Sequence, residues 1–91
     1  MTVSVQQLRA FVATLDAGSF TAAAAALGVG QSAVSHAVAG LEREVGGSVV
    51  HRGAVAAPTP LGDRLLAHAR SVLASVEALE AVVRPGTARG T

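Results

Sequence analysis

Apolar residues recur with helical spacing in four stretches of this chain, and each stretch carries its own start and stop signals. Val5, Leu8, Val12 and Leu15 follow one another at intervals of three and four, with Phe11 on the flank. That spacing predicts an amphipathic helix. Ser4-Val5-Gln6-Gln7 forms a capping box at its head, in which hydroxyl and amide each satisfy a free backbone N–H, and Gly18 stops it. Ser19 caps a second, shorter helix in which Phe20, Ala24 and Leu27 share a face. The alanine run from Ala22 to Ala26 has high helix propensity and lets a neighbouring helix approach closely. Gly28-Val29-Gly30 breaks the pattern. A short connection with glycine suits the turn of a helix-turn-helix.

A third helix is expected from about Gln31 to Val45, with Val34, Val38, Leu41 and Val45 as its buried stripe. This geometry leaves Gln31, Ser32, Ser35, His36, Ala39 and Arg43 facing outward. Gly46-Gly47 ends the helix. Ser48-Val49-Val50-His51 and Ala56-Ala57-Pro58 then predict two short strands of a hairpin, with Pro58 restricted to an edge. Thr59-Pro60 opens the last helix, Thr as N-cap and Pro at the first helical position, where its missing N–H costs nothing. Leu65, Ala69, Val72, Val76, Leu79 and Val83 alternate spacings of four and three, the seam of a coiled coil. Pro85-Gly86 terminates it. The predicted fold is mainly α: a winged helix-turn-helix of three helices and a β-hairpin wing over residues 1–58, then a long coiled-coil dimerisation helix over 59–84. Residues 85–91 read as a disordered tail or hinge.

Composition sharpens this outline. Of 91 residues, 51% are apolar, and the mean hydropathy of +0.50 is high for a small monomer. The surplus points to a second buried surface, most simply a subunit interface. There is no Cys, hence no disulfide, thiolate metal site or Cys nucleophile. No apolar run approaches the length of a membrane span, and Met1-Thr2-Val3-Ser4 lacks the basic start and apolar block of a signal peptide, so a cytoplasmic protein is expected. The seven basic side chains are all Arg, against six acids, for a net charge of +1. Affinity for nucleic acid therefore depends on where the charges lie, not on their sum.

Two other chemistries have superficial support. Gly28-x-Gly30-x-x-Ala33 matches a dinucleotide fingerprint, but that motif needs a preceding strand and an Ala-rich helix stands there instead. His36, His51 and His68 are too far apart for a local metal-ligand pair. Neither a cofactor nor a metal is expected, and an enzyme is not.

The residues also resemble a family. Leu8 and Phe11, Gly18-Ser19-Phe20-Thr21-x-Ala23-Ala24, Leu27, Gln31-Ser32-Ala33-Val34-Ser35-His36, Leu41-Glu42-x-Glu44-x-Gly46, Arg52 and Thr59-Pro60-x-Gly62 are similar to the N-terminal DNA-binding segment of LysR-type transcriptional regulators. The likeness keeps order and spacing from about residue 5 to 84. It implies a bacterial, dimeric, sequence-specific binder of double-stranded operator DNA. It also implies a C-terminal effector-binding domain after the arm. None is present in this chain, which is expected to be either a fragment cut at the hinge or a short member with no small-molecule effector site.

Residue roles follow. The third helix of a helix-turn-helix enters the major groove, where the Gln31 amide can bond adenine N6 and N7 together and Ser32 and Ser35 can donate to bases or phosphates. The plain alternative is that Gln31 and Ser32 are solvated polar residues of a first turn. By resemblance, His36 stands at a position of phosphate or base contact, and Arg52 approaches the backbone near the minor groove. Thr21 lies in the helix whose start crosses the phosphate backbone, which makes it a candidate phosphate contact. The departures weaken anchoring: Ala39 and Gly40 stand where basic side chains are common, Gly30 replaces a frequent N-cap Ser, and the wing Gly53-Ala54-Val55-Ala56-Ala57 is uncharged. No acid lies between Asp16 and Glu42 or between Glu44 and Asp63, so the expected DNA face is free of repulsion. The rival reading is a winged-helix protein–protein interaction module with little DNA affinity.

Overall fold

The computed structural model describes residues 1–84; the tail or hinge expected at 85–91 lies outside the described residues. Helices α1 (Val5–Ala17), α2 (Phe20–Leu27) and α3 (Gln31–Val45) are followed by strands β1 (Val50–His51) and β2 (Ala57–Pro58), and then by helix α4 (Pro60–Val83). The strands pair antiparallel, Val50 opposite Pro58 and His51 opposite Ala57, as a minimal wing. Among the described residues no single helix is long and apolar enough to cross a membrane.

The helix ends form where the local chemistry dictates. Ser4 Oγ accepts from Gln7 N at 3.1 Å while Gln7 Oε1 accepts from Ser4 N at 3.0 Å, completing the capping box. Ser19 Oγ caps α2 through Ala22 N at 3.0 Å. Gly30 occupies the N-cap of α3 without a side-chain hydrogen bond; its carbonyl accepts from Ala33 N at 3.1 Å, which leaves the N–H groups of Gln31 and Ser32 for an outside acceptor. Thr59 Oγ1 accepts from Gly62 N at 3.0 Å, with Pro60 in the first turn.

Helices α1, α2 and α3 enclose a core of Phe11, Val34, Val38 and Leu41, closed from the wing side by Val49 and Val50. Each large side chain buried there contributes ~1.5–3 kcal/mol. Three expectations change. Phe11 is the centre of the core, fully enclosed, because α1 is wedged between two helices and buries a wider arc than one stripe. Leu27 is 39% exposed, beside exposed Val29; the face of α2 that packs is carried by Ala23 and Ala24, whose small side chains bring α2 close to its neighbours. Gly40 is buried and faces α1: an added Cβ would come within 2.9 Å of Gln7 Nε2. A basic side chain there would meet the capping residue of α1 before it met DNA.

The expected division at residue 59 marks the start of α4, but the core crosses it. Leu61, Leu65, Leu66 and Leu73 pack on the core, and Ala69 is buried in it. Thr59 anchors the junction twice, donating Oγ1–H to the Ser48 carbonyl at 2.6 Å and N–H to the Val49 carbonyl at 3.2 Å. Arg70 then clamps the far end of α1 through a two-pronged pair with Asp16, at 2.7 and 3.2 Å. The first half of α4 is thereby part of the winged-helix unit.

Candidate nucleic-acid interface

The outward surface of α3 begins with Gln31, Ser32 and His36, all exposed, and continues with half-buried Ser35 and Ala39 to exposed Arg43. This is the polar arc left by the Val34, Val38 and Leu41 stripe, and an α-helix needs one such arc to enter a groove. Thr21, exposed in the first turn of α2, donates its hydroxyl to Gln31 Oε1 at 3.0 Å. The two helices of the helix-turn-helix are thus tied together at the head of α3.

Arg52 emerges after β1 and is held on two sides. Its guanidinium lies 4.8 Å from the centre of the Phe20 ring and 3.6 Å from Glu42 Oε1. The wing is also docked on the first turn, since Ala56 N donates to the Gly18 carbonyl at 2.8 Å. Arg52, Phe20, Thr21 and Gln31 consequently form an unbroken line of neighbours from the wing to the head of α3.

Glu42 is the residue whose part in this surface the linear sequence conceals. Its Oε2 accepts from Val49 N at 2.9 Å and from Ser48 Oγ at 3.2 Å, and its Oε1 faces Arg52. The acid-free intervals of the sequence therefore do not produce an acid-free face, because folding returns Glu42 to Arg52, ten positions on. The available signal was the Leu41-Glu42-x-Glu44-x-Gly46 pattern, which places a carboxylate on the last turns of α3 just before the strand it caps.

Cations are scarce. Arg9 pairs with Glu80 at 3.6 Å, Arg70 with Asp16, and Arg84 with Glu80 at 3.8 Å. Among the described residues, only Arg43 and Arg64 of the arginines make no ion pair.

The seam residues of α4 divide into two groups. Ala69 is buried and Leu65 half-buried against the protein's own core, so the upper seam serves the fold. Below it, Val72 (42% exposed), Leu79 (64%) and Val83 (67%) keep their spacing around half-buried Val76 and remain uncovered, joined by Val82.

A three-helix unit with a docked hairpin wing and a polar third helix is a winged helix-turn-helix. Residues 5–63 match the bacterial regulatory helix-turn-helix proteins of the lysR family, and this chain belongs to that family. It is similar to a probable hydrogen peroxide-inducible genes activator of Mycobacterium xenopi, 47% identical over 75 residues, covering 81% of this chain and 40% of the relative. It is also similar to the small neutral protease regulatory protein of Streptomyces coelicolor, 37% identical over 91 residues, covering 99% of this chain and 28% of the relative. The chain thus spans less than half the length of these relatives. Among solved structures, the BenM DNA-binding domain in complex with catB site 1 DNA has a TM-score of 0.81 at 30% identity, covering 90% of this chain and 93% of that one. Oxidised OxyR of Corynebacterium glutamicum has a TM-score of 0.88 at 29% identity, covering 92% of this chain and 28% of that one.

Proposed function

We propose that this chain acts in transcription regulation and binds operator DNA as a homodimer in the bacterial cytoplasm. In this reading α3 lies in the major groove. Gln31 reads a base edge, Ser32 and Ser35 donate to bases or phosphates, and His36 meets phosphate or base. Arg52 approaches the backbone beside the minor groove. The lower seam of α4 (exposed Val72, Leu79 and Val83 with half-buried Val76) pairs with that of a second copy, setting two α3 helices on two half-sites about one helical turn apart. The observation that carries the reading is the continuous line Arg52–Phe20–Thr21–Gln31, which joins a cation at the wing to an amide at the head of the third helix. The capless N-terminus of α3 adds open N–H donors beside it.

The test is a matched titration of Gln31→Ala and Arg52→Ala at two salt concentrations. The duplexes are one selected by the wild-type protein from a randomised pool and a scrambled control. Gln31→Ala costs about 1–3 kcal/mol on the selected duplex and leaves the control nearly unchanged, whereas Arg52→Ala weakens both. Equal losses from Gln31→Ala on both duplexes would remove α3 as the reading element. They would favour an interaction module, a reading that the uncharged wing and the Glu42–Arg52 pair also support.

A further inference from the structure

We infer that Thr21 is a positioning residue for Gln31, setting which edge of the Gln31 amide faces the base; this rests on the reading of α3 as the recognition helix. A glutamine at the first position of a helix has three rotatable bonds and an amide whose donor and acceptor ends exchange places on rotation. Left free, that amide presents either end to a base, and its ordering is charged against binding. Here the carbonyl end is engaged: Thr21 Oγ1 is 3.0 Å from Gln31 Oε1, with the hydroxyl donating. Two Nε2 hydrogens and one Oε1 lone pair remain, the donor and acceptor combination that adenine N7 and N6 require.

The anchor is stiff. Thr21 is β-branched, with few side-chain rotamers open to it on a helix. It follows Phe20, on which Arg52 stacks, in a turn capped by Ser19. A threonine hydroxyl also carries a single proton. Once that proton is given to Gln31 it cannot be given to a phosphate oxygen, which is an acceptor only. Thr21 therefore acts on specificity through Gln31, in place of the phosphate contact that its position in α2 suggests.

The experiment compares Thr21→Val, which keeps the shape and removes the hydroxyl, with Thr21→Ser, which keeps the hydroxyl. Each is made in the wild-type chain and in Gln31→Ala, and titrated on the wild-type-selected and scrambled duplexes at several salt concentrations. Thr21→Val lowers the preference for the selected duplex about 2- to 10-fold per half-site, the worth of one hydrogen bond. It leaves the control affinity and the salt slope unchanged, and Thr21→Ser restores most of the preference. In the Gln31→Ala background Thr21→Val has no further effect, as required of a residue acting through its partner. Equal weakening on both duplexes, or losses that add in the double variant, would overturn the inference in favour of an independent contact. If Gln31→Ala lowers the preference and Thr21→Val leaves it at the wild-type value, this inference falls and the reading of α3 stands. If the wild-type chain shows no preference for any duplex, both fall.

Discussion

Gly62, in the first turn of α4, lies so close to the backbone of Val49 that a Cβ built on it would overlap the Val49 carbonyl group. Val49 is fully buried, and its carbonyl is fixed by the N–H of Thr59. Neither side of this contact can yield as a flexible side chain would. Gly62→Ala must therefore shift α4 against the wing, and is expected to cost about 3 kcal/mol or more. Urea unfolding of the two proteins at equal concentration measures this, and a variant within about 0.5 kcal/mol of wild type would show that the junction is loose.

Glu42 and Arg52 set a second expectation. In the proposed complex DNA phosphates compete with Glu42 for the Arg52 guanidinium, and among the described residues three of the other five arginines are paired with acids. With two to three effective cations per subunit, the slope of log K against log salt should be about −4 to −5, at ~0.9 per neutralised phosphate. Glu42→Gln keeps an acceptor for Val49 N and removes the competing charge. It should strengthen binding to both selected and scrambled duplexes and steepen the slope to about −6 for a dimer, one further cation per subunit. Weaker binding by Glu42→Gln, or a wild-type slope steeper than about −8, would contradict this account.

The Asp16–Arg70 clamp makes stability depend on pH. The hydrogen bonds from Arg70 hold the Asp16 carboxyl below its ordinary value, against a smaller opposing effect of burial. A carboxyl whose folded value is depressed binds its proton more readily when unfolded. Its contribution is complete above the unfolded value near ~3.9 and disappears as pH falls through the lower folded value. Asp16→Asn should thus lower Tm by at most a few degrees at pH 7, because both partners are half exposed. The gap to wild type should close as pH falls below about 4. Melting curves across that range check the sign; a gap that widens in acid would be wrong for this pair.

The divided seam of α4 yields opposite phenotypes from its two halves. Leu79, 64% exposed on the lower half, contributes little to its own protomer. Leu79→Glu should leave Tm nearly unchanged at concentrations where the protein is monomeric and abolish the dimer at micromolar concentration, as measured by light scattering or sedimentation. Ala69 is 2% exposed, so Ala69→Glu places a charge in the core and should unfold the chain. A monomeric wild type, or a dimeric Leu79→Glu, would remove the lower seam as the interface.

The sequence by itself determined the elements and their ends. The Ser4–Gln7 box, the Ser19 and Thr59 caps, Gly18, Gly46 and the Thr59-Pro60 start all act within four residues of one another. Periodicity likewise identified Val34, Val38 and Leu41 as the inner face of α3, and so left Gln31, Ser32 and His36 outside. What periodicity does not contain is the neighbour that covers each face. Only tertiary structure decided that Phe11 is the centre of the core, that Gly40 meets Gln7, and that Ala69 packs inward while Leu79 stays bare. The same holds for the relationships that tune the candidate site and the one that clamps α1 to α4. Thr21 reaches Gln31 across a turn, Glu42 reaches Arg52 across the start of the wing, and Asp16 meets Arg70 across 54 positions. Each of these depends on how packed helices bring distant residues together, and a local pattern of three- and four-residue intervals carries no record of that distance.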